Sequence, residues 1–142
     1  MASCDVVLDT NVIVSGLRSD AGASFRVLRL LGDPRMRVHL SVPLVYEYED
    51  VLKRPWIGLP FSTADVDDFL DSICAIGRRH EIHYLWRPQL PDPGDELVLE
   101  AAIAGGCRYI ATHNVRDFVG AERFGIRAIT PRELLRILGE VP

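Results

Sequence analysis

The sequence predicts an α/β protein, a three-layer α/β/α domain built around a mostly parallel central sheet. Short apolar runs of strand length alternate with segments of helical periodicity along the whole chain, and right-handed crossovers place such helices on both faces of a sheet. Polar clusters directly follow two of the apolar runs, at Asp9-Thr10-Asn11 and at Thr112-His113-Asn114. Because the carboxyl ends of parallel strands meet at the edge where ligands bind in open α/β sheets, these clusters predict a functional site there.

The length and composition fit one domain spanning residues 1–142. The chain has 142 residues, of which 48% are hydrophobic, enough for one continuous core. Its net charge of −4 and pI near 5.5 argue against binding nucleic acid through an overall positive field. They leave open a local basic rim, so we expect function to lie in a local site.

Cysteine usage and hydropathy predict a cytoplasmic protein. Cys4, Cys74 and Cys107 are odd in number and widely spaced, without a CxxC pair, which favours reduced thiols over zinc ligands. No apolar run approaches the roughly 20 residues that span a bilayer, and the amino terminus lacks a signal-peptide pattern. We therefore expect no membrane partner.

The first 40 residues are predicted to contain two strands and two short helices. The first strand, Cys4–Leu8, is followed by helical patterns at Asn11–Leu17 and Ser24–Leu31. Gly32-Asp33-Pro34 stops the second of these helices. Alternation of apolar and polar residues then predicts a second strand at Met36–Leu40.

Two longer helices follow, and capping residues mark where they begin. Ser41 is a helix N-cap with Pro43 in the first turn, where the missing amide donor costs little. This helix is expected to end before Pro55. Ser62 opens the next helix, whose inward apolar spacing continues until Gly77 ends it.

The second half is predicted to contain short strands and helices separated by turn residues. The loop 87–94 is rich in proline and cannot supply a full hydrogen-bond ladder. Thr130 and Glu133 form a capping-box pattern with proline at the first helical position. The predicted elements are, in order, a strand at Glu81–Leu85, a helix at Asp95–Ala104, a strand at Tyr109–Ala111, an edge strand at Arg127–Ile129 and a final helix opened by Thr130.

Four carboxylates have similar settings in this predicted topology. Asp9 follows the first strand, Glu47 lies beside the apolar stripe of a helix, Asp95 opens a helix, and Asp117 lies just beyond the strand ending near Thr112. Like charges brought together raise one another's pKa, and a divalent cation removes that penalty. Carboxylate oxygens suit Mg²⁺ or Mn²⁺. The set predicts such a site, which would hydrolyse a phosphodiester through an activated water.

Each member of the set also has an ordinary structural alternative. Asp9 and Asp95 are suited to cap the helices that follow them, and Glu47 to pair with a basic residue on a neighbouring turn. Asp117 and Asn114 are common turn residues. These alternatives remain open for single residues, whereas the ordered set favours the metal site.

Four features occur in order along the chain: Val7-Leu8-Asp9-Thr10-Asn11-Val12, Glu47, Asp92-Pro93-Gly94-Asp95 and Thr112-His113-Asn114-Val115-Arg116-Asp117-Phe118. Together they resemble the PIN domain, and the resemblance covers nearly the whole chain. It implies that Asp9 and Asp95 bind the metal most directly, while Glu47 and Asp117 complete the acidic pocket. It further implies that Asn11, Thr112 and Asn114 are supporting polar groups.

The resemblance implies a divalent-metal-dependent endoribonuclease similar to VapC-like toxins of type II toxin–antitoxin pairs. Such a protein would cleave an RNA substrate, bind an antitoxin protein that inhibits it, and form a homodimer. One departure is Asn114, because many PIN domains carry an acid at that position. Two other functions remain open from the residues: a metal-dependent phosphohydrolase of small molecules, and a non-catalytic PIN module that binds RNA or protein.

Three cations near the predicted carboxylates are candidates for contacts with substrate phosphates: Lys53, Arg54 and Arg116. Solvated surface charge is the default interpretation of all three. His80 and His83 are spaced to opposite faces of a strand, so we do not expect them to form a zinc pair.

Overall fold

The computed structural model describes residues 3–83 and 87–140, and its centre is a five-stranded sheet in which neighbouring strands run parallel. The strands occur in the spatial order β3-β2-β1-β4-β5. This confirms the predicted α/β class with a parallel central sheet. The strands are β1 (Cys4–Leu8), β2 (Met36–Ser41), β3 (Arg78–His80), β4 (Tyr109–Ala111) and β5 (Arg127–Ile129).

Helices fill the connections between the strands. The crossover from β1 to β2 and the crossover from β3 to β4 run in opposite directions across the sheet, so right-handed connections place their helices on opposite faces. No helix among the described residues is long and apolar enough to cross a membrane. The helices are α1 (Thr10–Arg18), α2 (Ala23–Arg29), α3 (Val42–Leu52), α4 (Thr63–Ile76), α5 (Pro93–Ala104) and α6 (Pro131–Ile137), with a 3-10 segment at Val115–Phe124.

The central strand β1 supplies the middle of the hydrophobic core. Its residue Val6 lies beside Val38 of β2 and beside Tyr109 of β4. The side chains of Val6, Val7 and Leu8 are almost completely buried, as expected for a parallel strand covered on both faces. The chain therefore leaves β1 at the middle of the carboxyl edge of the sheet, where Asp9 follows.

Local capping chemistry sets the start of three helices as the sequence predicts. The Ser41 hydroxyl accepts a hydrogen bond from the Leu44 amide at 3.2 Å. Reciprocal capping boxes join Ser62 with Asp65 and Thr130 with Glu133. Each satisfies backbone donors that the first helical turn leaves unpaired.

The predicted third strand at Glu81–Leu85 is wrong. The chain forms β3 at Arg78–His80, directly after α4, and Glu81–His83 have no regular structure, while residues 84 and 85 lie outside the described residues. Gly77 has extended backbone angles, φ −74° and ψ 160°, and leads straight into the strand. A Cβ on Gly77 would lie 2.6 Å from Leu40 Cδ1 and 2.9 Å from the Ile73 carbonyl oxygen, and because the second neighbour is backbone this position favours glycine.

The helix predicted to open at Asp95 instead begins two residues earlier, at Pro93. Asp92 is its N-cap, and the Asp92 Oδ1 atom accepts a hydrogen bond from the Gly94 amide at 2.7 Å. Proline occupies the first helical position, which needs no amide donor. Asp95 therefore lies inside the first turn, and its carboxylate is not the cap.

Candidate active site

A cleft of about 480 Å³ opens at the carboxyl edge of the sheet. All four predicted carboxylates line it, together with Asp92, which the sequence analysis named in a motif but did not count among the candidate carboxylates. The predicted supporting residues Asn11 and Asn114 line it as well. The structure thus brings together side chains that are up to 108 positions apart in the chain, from Asp9 to Asp117.

Asp9 is buried, and its carboxylate is oriented by β4 and the residue after it. The Thr112 hydroxyl donates a hydrogen bond to Asp9 Oδ2 at 2.7 Å, and the Asp9 amide donates to the Ala111 carbonyl at 2.9 Å. Burial raises the pKa of Asp9 above its usual range, against the lowering effect of the Thr112 hydrogen bond, and the Asp117 charge raises it further. The Asp9 side chain makes no capping hydrogen bond to α1, so the simple capping alternative does not describe it.

Glu47 reaches the cleft from α3. The next residue, Tyr48, is fully buried and donates its hydroxyl hydrogen bond to the Leu8 carbonyl at the end of β1. This contact fixes α3 over the strand that precedes Asp9. The Glu47 Oε1 atom lies 3.9 Å from the position that a Cβ on Gly94 would occupy, so α3 and α5 approach closely beside the cleft.

Asp95 has the most strongly shifted pKa among the residues described in the cleft. Burial is the leading cause, and the charges of Asp9, Asp92 and Asp117 are the next three, so that the pKa of Asp95 rises to about 7. A carboxylate of ordinary pKa would be fully ionised near neutrality. Asp95 is therefore destabilised as an anion by burial and by the surrounding acids, a condition that a bound cation would relieve.

Asp117 is exposed and lies in the first turn of the 3-10 segment. Its amide donates to the Asn114 carbonyl at 3.0 Å, which forms the turn after β4. The Asn114 side chain makes no capping hydrogen bond, and the Asn114 amide donates to Thr112 Oγ1 at 3.0 Å. The buried neighbour Phe118 anchors the segment, so Asp117 is held at the mouth of the cleft.

The two polar residues that flank the carboxylates have structural contacts. The Asn11 Oδ1 atom accepts a hydrogen bond from the His113 amide at 3.3 Å. His113 Nε2 lies 2.8 Å from the hydroxyl of Ser24, which is on α2. These contacts join the start of α1 to the end of β4.

The carboxylates of the cleft fit a divalent-cation site with few protein ligands. Within residues 3–83 and 87–140, no three His, Cys, Asp or Glu side chains lie close enough together to hold one ion. Mg²⁺ commonly binds through one or two carboxylates and keeps several waters. The oxygen donors and mutual repulsion of Asp9 and Asp95 fit such a shell, whereas a site with three or more protein ligands is not present in this part of the chain.

Two of the three cations that the sequence offers as candidates for phosphate contacts are paired with carboxylates. Lys53 Nζ lies 2.6 Å from Asp67 and 3.0 Å from Glu49, and Arg54 lies 2.7 Å from Asp50. Arg116 is exposed next to Asp117 and is not among the cleft residues. Among the residues that the structure describes, the cation that lines the cleft is Arg18 at the end of α1, which the sequence analysis did not identify.

A second polar cluster lies in the sheet, apart from the cleft. His39 Nδ1 is 2.7 Å from His80 Nε2, and His39 Nε2 is 2.8 Å from Asp5, which Arg37 also contacts through two hydrogen bonds. Burial, and then the nearby charge of His39, lowers the pKa of His80. His83 is exposed and does not join this cluster.

Comparison with known proteins identifies the family. A sequence profile of the PIN domain matches residues 5–116, ending one residue before Asp117. No curated protein sequence matches the chain. Among solved structures, a chain in the crystal structure of VapBC2 from Rickettsia felis bound to a DNA fragment from their promoter has a TM-score of 0.61 and 16% identity, over 89% of this chain and 98% of that chain. With the profile covering most of its length, this chain belongs to the PIN domain family.

Proposed function

We propose that this protein is a divalent-metal-dependent endoribonuclease that hydrolyses RNA phosphodiester bonds. The observation that carries the proposal is the convergence of Asp9, Glu47, Asp95 and Asp117 in one open cleft at the carboxyl edge of the sheet. The PIN family, whose members are generally nucleases, supports the reaction class. Metal dependence is supported by the raised pKa values of Asp9 and Asp95, which mark carboxylates that lack a compensating positive charge.

In this mechanism Mg²⁺ or Mn²⁺ would be held most directly by Asp9 and Asp95. When bound, the cation lowers the pKa of a water and neutralises charge on the phosphate. Thr112 keeps the Asp9 carboxylate in one orientation through its hydrogen bond. Glu47 and Asp117 complete the acidic pocket and accept hydrogen bonds from water at its sides.

Attack by water is favoured over attack by a side chain of the protein. Among the described residues that line the cleft there is no cysteine and no histidine. Ser15 and Ser19 lie in the wall, but a serine nucleophile needs an adjacent general base. The nearby His113 is instead joined to Ser24. The reaction therefore proceeds without a covalent protein intermediate.

We further propose that RNA cleavage is the activity of a toxin and that an antitoxin protein inhibits it in the cytoplasm. The support is the fold shared with a chain of VapBC2 together with the PIN family. A homodimer is part of the same proposal. Expression of the chain in growing cells tests the toxin role: the native chain should arrest growth, and an Asp9→Asn variant should not.

The first experiment incubates the purified protein with mixed structured and single-stranded RNA in Mg²⁺, in Mn²⁺ or in chelator. We expect fragments only with a divalent cation, and at least about 100-fold slower cleavage by Asp9→Asn. Asp71→Asn, which changes an exposed acid on α4 in the same way, is the matched control. Equal cleavage by Asp9→Asn and the native chain would contradict the proposal.

A non-catalytic PIN module that binds RNA is the second candidate. Two observations favour it: Asn114 supplies a neutral amide where many PIN domains have an acid, and no three-ligand metal site occurs among the described residues. Binding of RNA without cleavage under every metal condition would select this function.

A further inference from the structure

One face of α1 forms a wall of the carboxylate cleft along its whole length. The lining positions are 10 and 11, then 14 and 15, then 18 and 19, which is the spacing of successive helical turns. Arg18 ends the helix, roughly 10 Å beyond Asn11 along the axis. The wall therefore begins beside Asp9 and ends at a guanidinium.

Arg18 is positively charged, whereas the other ionisable residues described in the lining of the cleft are acids. Among the described residues that line the cleft, it is the single Lys or Arg. The ionisable residues that accompany it are Asp9, Glu47, Asp92, Asp95 and Asp117. An anionic ligand entering the cleft would therefore meet its attractive contact at Arg18.

The Arg18 side chain is oriented by backbone and is not neutralised by an acid. Its Nη2 atom donates to the Ile57 carbonyl at 2.6 Å. Within residues 3–83 and 87–140, no Asp or Glu forms an ion pair with Arg18. A guanidinium has five N–H donors, so the bond to one carbonyl leaves several for a ligand. Lys53 and Arg54, by contrast, already have carboxylate partners.

We propose that Arg18 binds a backbone phosphate of the RNA strand, adjacent to the phosphate that is cleaved. This inference rests on the proposed nuclease function and adds to it a substrate-binding residue. The planar guanidinium fork matches two phosphate oxygens, which suits a contact that fixes the register of the strand. Because Arg18 lies at the far end of α1 from Asn11, the phosphate that it binds would lie to one side of the carboxylates. The metal therefore would not offset the charge of this phosphate.

The structural alternative is that Arg18 only tethers the loop around Ile57 and stabilises the carboxyl end of α1. The salt dependence of RNA binding separates the two roles, because each phosphate contact on a single strand contributes about 0.7 to the slope of log K against log salt. A tether contributes nothing to that slope. The fold of each variant is checked by circular dichroism and melting temperature.

The test measures fluorescence anisotropy of a labelled single-stranded RNA in Mg²⁺, in the Asp9→Asn background so that the RNA is not consumed. Added variants are Arg18→Gln, Arg18→Lys and, as a matched loss of one positive charge, Arg136→Gln. Arg136 is exposed in the last turn of α6, at the opposite edge of the sheet.

We expect Arg18→Gln to reduce the slope by about 0.7 and to weaken binding about fivefold at 0.1 M salt. Arg18→Lys should keep the slope but bind less tightly, because lysine lacks the fork, and Arg136→Gln should change neither. A lower melting temperature of Arg18→Gln with an unchanged slope would overturn the assignment while leaving the nuclease function intact. If the native chain neither binds nor cleaves RNA, the proposed function is overturned and the role of Arg18 with it.

Discussion

Individual side chains hold the carboxylates of the cleft in place. Thr112 orients Asp9, and the Asp92 cap fixes the first turn of α5 that contains Asp95. The Tyr48 hydroxyl ties α3, and therefore Glu47, to the end of β1. Since the acids repel one another, these contacts maintain an arrangement that the charges alone would not adopt.

Thr112→Val tests whether the orientation of Asp9 matters for the reaction. Valine keeps the shape of threonine but removes the donor that lies 2.7 Å from Asp9 Oδ2. We expect cleavage to fall about 10- to 100-fold, the usual cost of losing a hydrogen bond to a metal ligand. The measurement is the rate of RNA cleavage at saturating Mg²⁺. Thr63→Val, which places the same change on the first turn of α4 outside the cleft, should cleave at the native rate.

The raised pKa of Asp95 predicts a defined pH dependence of stability when no divalent cation is present. The pKa rises from 3.8 to about 7 in the folded chain, so between these values the folded state binds more protons than the unfolded state. The stability that the protonated carboxyl contributes is fully present below about pH 4 and is lost as pH rises towards 7.

Urea unfolding in chelator across this pH range measures the effect. The free energy of unfolding of the native chain should fall with pH relative to that of Asp95→Asn, which cannot ionise at this position. Parallel curves for the two proteins would show that the Asp95 carboxyl is not perturbed by its neighbours.

The elements differ in how far local sequence determines them. The strands Tyr109–Ala111 and Arg127–Ile129 match their predicted bounds, because turn residues border short apolar runs. The strand Arg78–His80 has exposed arginines and no apolar pattern. Its backbone pairs with β2 at His39, so a tertiary contact, and not side-chain alternation, makes it a strand.

The loop 87–92 packs closely against the 3-10 segment Val115–Phe124. Glu96 Oε1 accepts hydrogen bonds from the amides of Gln89 and Leu90 at 2.7 and 2.8 Å, which fixes the loop before Asp92. A Cβ on Gly120 would lie 2.7 Å from the Gln89 carbonyl oxygen. Because this neighbour is backbone and cannot rotate away, Gly120→Ala should destabilise the fold by about 1–3 kcal/mol.

Urea denaturation measures that loss directly. Val119→Ala is the control, because Val119 is 62% exposed and its truncation should change stability by less than about 0.5 kcal/mol. Equal stabilities of Gly120→Ala and the native chain would mean that the loop moves freely away from the 3-10 segment.

The cleft as a whole was partly predictable. Topology alone assembles Asp9, Asp95 and Asp117 at one edge, since each follows or faces the carboxyl end of a strand. Arg18 and Asp92 were not predicted as cleft residues, for physical reasons. Arg18 lies two helical turns after Asn11 and enters the cleft only because one face of α1 packs along it. Asp92 has the residue type and loop setting of an ordinary helix N-cap.

If the acidic cleft binds a divalent cation, as we propose, the stability of the whole molecule should depend on that cation. A ligand that binds only the folded chain stabilises it by RT ln(1 + [L]/Kd), about 2.7 kcal/mol at 100 times the Kd. Mg²⁺ or Mn²⁺ should therefore raise the melting temperature of the native chain, and chelator should reverse the increase. Sodium chloride at equal ionic strength controls for general screening of the surface charges.

Variants locate the origin of this stabilisation. In Asp95→Asn the increase should be mostly lost, because the variant lacks one of the two carboxylates that we propose to hold the ion, and less repulsion remains to relieve. Asp71→Asn, on the exposed face of α4, should keep the full increase. If Asp95→Asn and Asp71→Asn respond equally to Mg²⁺, the cation acts on the general surface charge. A loss confined to Asp95→Asn would place the ion in the cleft by a measurement that does not depend on RNA cleavage.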